Sequence, residues 1–438
     1  MSNELLIKNA LVWPSAHAEP VRDGKVLIRD GRIVRVGHFQ ARADTVIDAD
    51  GCLAMPGFVQ GHVHLCQTLF RGLAEDMPLL PWLTRYIWPL EAAHDEDSLR
   101  ASAQLACAEL IRGGTTAFLS METVRRTGVV FEAVSGTGLM AVISHCLMDE
   151  SGGYEPLAVA VDDALADCDV LLDHWEKDPR LRLAVAPRFA LSCTEDNLRA
   201  AAEYARDRGL LLHTHAAEQV PEVELVRERT GRSNVAFLHD VGLTGPDVCL
   251  AHCVHTTPEE RSLLAETQTR VLHCPSTNLK LGSGVAPVPE YLERGIVVAI
   301  GADGAACNNR LDMFAEMRQA GLVQKPLLGP QALPARDIVW MATEGGARAL
   351  GWEQEMGTLE EGKRANLILL DMNKWSVLPS DNLAANVVYS HAAEDVVMTI
   401  VDGQVLYEDG ALTTIDESRL KVEAVRQRAQ LMKRAGLS

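Results

Sequence analysis

At 438 residues the chain can bury one large core or two, and 47% hydrophobic with 23% charged residues is ordinary globular composition, which argues against disorder. A formal net charge of −19 argues against a nucleic-acid partner, because phosphate binding needs a basic surface; the same charge describes a well-solvated exterior. The ten cysteines are scattered without a Cys-x-x-Cys pair, and no apolar stretch reaches membrane-spanning length. A soluble, cytoplasmic protein with reduced core cysteines and no membrane partner is expected.

Residues 4–56 read as short strands separated by turns, with β-rich runs at 5–13, 24–29 and 32–36 and a tight hairpin signal at Asp30-Gly31. Similar material returns at 365–371 and 396–407. Two β-rich ends around an α/β middle predict a small β-sandwich built from residues 1–56 and 360–412. Residues 57–359 form the inserted unit, and 413–438 hold a charged terminal helix.

The middle alternates candidate strands at 58–63, 116–121, 140–145, 181–186, 210–215, 248–252, 270–273 and 297–302 with amphipathic runs such as 97–112, 194–208 and 258–267. Repeated βα alternation favours a parallel sheet, and eight strands suit a closed (β/α)₈ barrel of the TIM type.

The chemistry-bearing residues cluster at the strand ends. The first strand ends in His62-Val63-His64, and residues two apart on a strand project to one side, so both imidazoles can reach one metal ion. A lone His-x-His is a weak signal. Here the fifth strand ends in His213-Thr214-His215 followed by Glu218, the sixth in His252, and the eighth in Asp303. In a barrel these ends meet at one face, where active sites are built.

These segments resemble the amidohydrolase superfamily over essentially the whole chain, most closely its mononuclear deaminase branch acting on 5′-modified adenosines. The resemblance rests on Pro56-Gly57-Phe58, His62-Val63-His64, Arg71-Gly72, Trp88-Pro89-Leu90-Glu91, His215 to Glu218, Ala251-His252-Cys253, His273-Cys274-Pro275, Asn278 to Gly284, Asp303-Gly304-Ala305 and Gln324-Lys325. It implies one zinc ion per chain held by His62, His64, His215 and Asp303, with iron or manganese as alternatives. Imidazole and carboxylate donors with an open position suit a catalytic divalent metal. A binuclear relative would carry a bridging lysine at the end of the fourth strand, where this chain has Pro187-Arg188-Phe189.

The resemblance further implies hydrolytic deamination, with Asp303 taking the proton of the attacking water. Glu218 protonates the ring nitrogen and contacts the substrate, and His252 orients the attacking oxygen. Glu91 is expected to bind ribose hydroxyls, and replacing it by alanine is expected to separate a nucleoside enzyme from a free-base enzyme. Arg188 departs from the adenosine-type pattern towards the guanine-deaminase branch; it is a candidate for a purine oxygen, a sugar, a 5′ substituent or a salt-bridged rim position. The rival substrates are a free purine, a pterin, another amino-heterocycle or a triazine. Relatives are commonly homo-oligomers, and one is expected here. Two histidines stay open, His255 and His273, between pocket and structure, whereas His213 is expected to face the surrounding helices. Trp82, Tyr86 and Trp88 are either cover for the substrate or packing. A non-catalytic scaffold, the reading from another class, would be expected to have lost ligands that this chain keeps.

Overall fold

In the computed structural model, which describes residues 4–150, 154–379 and 381–437, Phe58–His64 is the first of eight parallel barrel strands. Thr115–Met121, Met140–Leu147, Leu181–Pro187, Leu211–Ala216, Val248–His252 and Arg270–His273 follow, each hydrogen-bonded to the one before it. The first three bury every residue, as parallel strands covered on both faces must. The eighth strand is split. Val298–Ile300 pairs with the seventh strand, and Asp303–Gly304 pairs with the first through Asp303 opposite Val63, which closes the ring. Gly301 sits at the split because a Cβ there would lie 2.6 Å from the His62 backbone nitrogen. Closure therefore brings Asp303 beside His62 and His64.

The helices between strands begin where the sequence places caps. Asp95 accepts from the Ser98 backbone at the start of Glu96–Arg112, and Thr194 accepts from Asn197 at the start of Glu195–Asp207. Between the first strand and Glu96 lies a run of short helical turns, Leu65–Phe70, Leu79–Trp82, Leu83–Ile87 and Trp88–Ala92. This arm, which the strand reading leaves unassigned, folds over the barrel mouth.

The β-rich ends form a second sheet of nine strands. Its halves join where Cys52–Pro56 pairs antiparallel with Leu367–Asp371. Two-residue turns at Asp30-Gly31 and Asp402-Gly403 have positive φ at both positions, the geometry whose twist suits a hairpin. Leu5, Ile7, Val26, Ile28, Leu367 and Ile400 pack into an apolar core of its own. Glu417–Arg434, capped by Asp416, packs on Glu96–Arg112. No helix among the described residues is long and apolar enough to cross a membrane.

Candidate active site

The floor of the barrel mouth is a group of imidazoles around one carboxylate. Donor atoms of His62, His64, His215 and Asp303 all lie within 4.8 Å of one another. His62 Nε2 and His64 Nε2 approach Asp303 Oδ1 at 3.3 and 3.1 Å, and His215 Nε2 lies 3.3 Å from His64 Nε2. Backbone carbonyls set two of the tautomers. His64 Nδ1 is 2.7 Å from the Met121 oxygen and His215 Nδ1 is 2.7 Å from the Arg188 oxygen. A carbonyl can only accept, so each Nδ1 carries the proton and each Nε2 turns a lone pair towards the others. His62 Nε2 is fully buried with no hydrogen-bond partner among the described residues. Acceptors facing acceptors call for a cation between them, and the donor set fits one divalent metal ion. Burial pushes His62 down to about 4 and His215 well below its ordinary value, which keeps both imidazoles neutral. At His64 burial acts the same way, but contact with the Asp303 carboxylate outweighs it and the net shift is upward.

His213 does not face the surrounding helices. Two residues from His215 on the same strand, it points the same way, into the barrel, and its Nε2 is 2.8 Å from His62 Nδ1. Its Nδ1 lies 3.1 Å from Ser144 Oγ, so Ser144 and His213 orient His62 from below. The period-two rule that pairs His62 with His64 would have found it.

Glu218 and His252 stand beside this floor. His252 Nε2 is 3.6 Å from Glu218 Oε2 and 3.9 Å from Asp303 Oδ2, while Asn278 holds His252 Nδ1 at 2.9 Å. Burial drives Glu218 up to about 7; repulsion from Asp303 and Glu222 adds to the rise, and His252 opposes it. A carboxyl poised near neutrality can both hold and release a proton.

Glu91 and Arg188, proposed from sequence as separate contacts, are one buried bidentate ion pair. Arg188 Nη1 donates to Glu91 Oε2 at 2.5 Å and Nη2 to Oε1 at 3.1 Å, and Gln67 Nε2 adds a third bond to Oε1 at 2.9 Å. A pocket opens above the floor; Gln67, Trp82, Phe189, Leu281 and Arg188 line it with the floor residues, and Glu91 sits behind Arg188 and Gln67. Gln67 Oε1 and Trp82 Nε1 are buried there with no partner among the described residues. Tyr86, Trp88, His255 and His273 are not among the lining residues. His255 instead donates to the Ser283 carbonyl at 2.6 Å. Gln67 carries no spacing signal of its own and emerges only from the packed site. All ten cysteines are free thiols, nine of them buried.

Comparison with known proteins agrees with this architecture. Residues 53–406 match the model of the amidohydrolase family. A 5′-deoxyadenosine deaminase of Methanosarcina mazei is 38% identical, over 98% of this chain and 99% of its own. A 5-methylthioadenosine/S-adenosylhomocysteine deaminase of Syntrophobacter fumaroxidans is 39% identical over 94% of each. The crystal structure of an adenosine deaminase from Xanthomonas campestris with bound zinc superposes with a TM-score of 0.93 at 30% identity, covering 98% of this chain and 99% of that one. A match across most of the chain, together with relatives alike from end to end, places this chain in the amidohydrolase family.

Proposed function

We propose that this amidohydrolase hydrolyses the ring amine of an adenosine-like nucleoside whose 5′ hydroxyl is absent or modified, of the 5′-deoxyadenosine, methylthioadenosine or S-adenosylhomocysteine type, releasing ammonia and the inosine analogue. The names of the two relatives support the substrate class. The observation that carries the chemistry is the meeting of Glu218 and His252 with the His62, His64, His215 and Asp303 donor set on one floor.

Zinc is the metal we assign to the four donors, in line with their chemistry and with the zinc of the Xanthomonas campestris protein. When bound, it lowers the pKa of water towards neutrality and so makes hydroxide available. Asp303 accepts the proton of the attacking water. Glu218 gives its proton to the ring nitrogen beside the amine-bearing carbon and then carries a proton to the departing amine. His252 steadies the attacking oxygen and the charge that develops on it. Water's oxygen ends as the ring oxo group and the amine leaves as ammonia.

A free oxo-purine or related amino-heterocycle is the second reading, favoured by one observation: Arg188 and Gln67 line the pocket while Glu91 lies behind them. The ion pair also changes the test. Removing the Glu91 carboxylate strands a buried guanidinium, at a cost of about 3–5 kcal/mol, so Glu91→Ala would weaken the fold whatever the substrate. Glu91→Gln keeps the shape and one acceptor. Ammonia release from zinc-loaded wild type and Glu91→Gln is measured against adenosine, 5′-deoxyadenosine, methylthioadenosine, S-adenosylhomocysteine, guanine, a pterin and an amino-triazine. Highest kcat/KM on the adenosine set, reduced in the variant, is expected. Preference for guanine or another free base would overturn the nucleoside assignment.

A further inference from the structure

The turn that carries Glu218 is held by a chain of hydrogen bonds that all run one way. Ala217 N donates to Asn234 Oδ1 at 3.2 Å, Asn234 Nδ2 donates to Glu222 Oε1 at 2.9 Å, and Glu222 Oε2 accepts from the backbone nitrogens of Glu218 at 2.7 Å and Gln219 at 3.3 Å. Glu222 and Asn234 are each 1% exposed. Three N–H donors, from Asn234, Glu218 and Gln219, end on Glu222, so a carboxylate that only accepts fits the position and an amide does not. Ala217 has φ +49°, a left-handed conformation that an alanine holds only when its surroundings impose it.

The same turn anchors the next catalytic segment. Ala217 O accepts from Val254 N at 3.0 Å and His255 N at 2.9 Å, and Ala216 O accepts from Cys253 N at 3.0 Å. His252 and Cys253, directly before them, have φ +71° and +47°. Glu222 thereby reaches both Glu218 and His252 through one piece of backbone.

We propose that Glu222, with Asn234, is a positioning residue for deamination: it fixes the Glu218 and His252 turns together, and its negative charge beside the Glu218 backbone adds to what favours the protonated form of Glu218. The inference rests on the deaminase reading above, in which Glu218 must carry a proton when substrate binds. Glu218 is faced by His252 from the sixth strand, Asp303 from the eighth, Ser283 Oγ at 3.5 Å, Glu222 from its own following helix, and Arg188 across the pocket. Of these only Glu222 is tied to the Glu218 backbone. Glu222 also closes the capping box of Val220–Thr230. A cap alone would affect stability and leave proton affinity untouched.

Glu222→Gln and the swap E222Q/N234D separate position from charge. In the single variant the new amide nitrogen meets the Asn234 nitrogen, and the chain breaks. In the swap the amide introduced at position 222 donates to the carboxylate introduced at position 234, and that carboxylate accepts from the Ala217 nitrogen. The oxygen of the new amide still accepts from the Glu218 nitrogen, so every bond is kept with the charge moved one side chain further from Glu218. Both are assayed as zinc-loaded protein on whichever member of the substrate panel wild type turns over best. E222Q is expected to lose kcat about 100-fold, the order of a ~1 Å misplacement, with KM little changed. The swap is expected to recover most of that kcat while the alkaline limb of its kcat/KM profile stays displaced to lower pH, because Glu218 loses its proton more readily without the nearby charge. A lowered melting temperature with kcat and the alkaline limb at wild-type values would reduce Glu222 to a helix cap and overturn the proposal. If E222Q does not fold, the swap decides alone: a displaced limb supports the proposal and an unmoved limb overturns it. Failure of wild type on the adenosine set would instead sink the nucleoside reading, and it leaves the clamp testable on the substrate that is used.

Discussion

The barrel mouth and the composite sheet bury their side chains to the same degree but bury opposite kinds. At the mouth His62, Glu91, Arg188, Glu218, Glu222 and Asp303 are all nearly inaccessible. In the sheet domain the equivalent depth is filled by Ile7, Val26, Leu367 and Ile400. Burying charge costs several kcal/mol per ion unless each is paired, whereas burying an aliphatic side chain stabilises by roughly 1.5–3 kcal/mol. The mouth accepts that cost where chemistry needs it and limits it by pairing: Glu91 with Arg188 and Glu222 with three N–H donors, while Asp303 joins the donor set that fits a divalent cation. The sheet domain and the barrel walls supply the surplus.

The contrast can be broken from either side. Asp303→Asn removes one of the proposed metal donors and the proposed proton acceptor together, and kcat/KM is expected to fall by about 10³-fold or more with the fold intact by circular dichroism. Metal analysis should show the loss of bound ion; full activity in the variant would remove Asp303 from the chemistry. His213→Ala leaves all four donors in place and frees only the His62 ring. Metal affinity by chelator competition is expected to weaken about 10–100-fold, and an unchanged affinity would make His213 a packing residue. Ile400→Ala should act the other way. It is expected to cost about 2–5 kcal/mol of stability, read as a lowered melting temperature, with kcat/KM retained at temperatures below the transition. A large loss of kcat/KM there would show that the sheet domain shapes the mouth directly.

The order of the strands and the residues at their ends were legible in the sequence because both are local properties. A run of Val, Ile and Leu bounded by Gly or a cap makes a strand wherever it falls, and side chains two apart share a face. That is enough to bring His62, His64, His215, His252 and Asp303 to one end of a barrel. His213 was equally legible by the same rule, and its assignment to the outer face went against that rule. Only the tertiary structure decided that Glu91 and Arg188 meet. They are 97 residues apart, one on a helical turn after the first strand and the other at the end of the fourth. No period links them; their pairing depends on barrel closure and on how the 65–92 arm folds across the mouth. The Glu222–Asn234 clamp stands between these cases: Glu222 reads locally as a capping residue, and its hold on the catalytic turn exists only once Asn234 is packed against it.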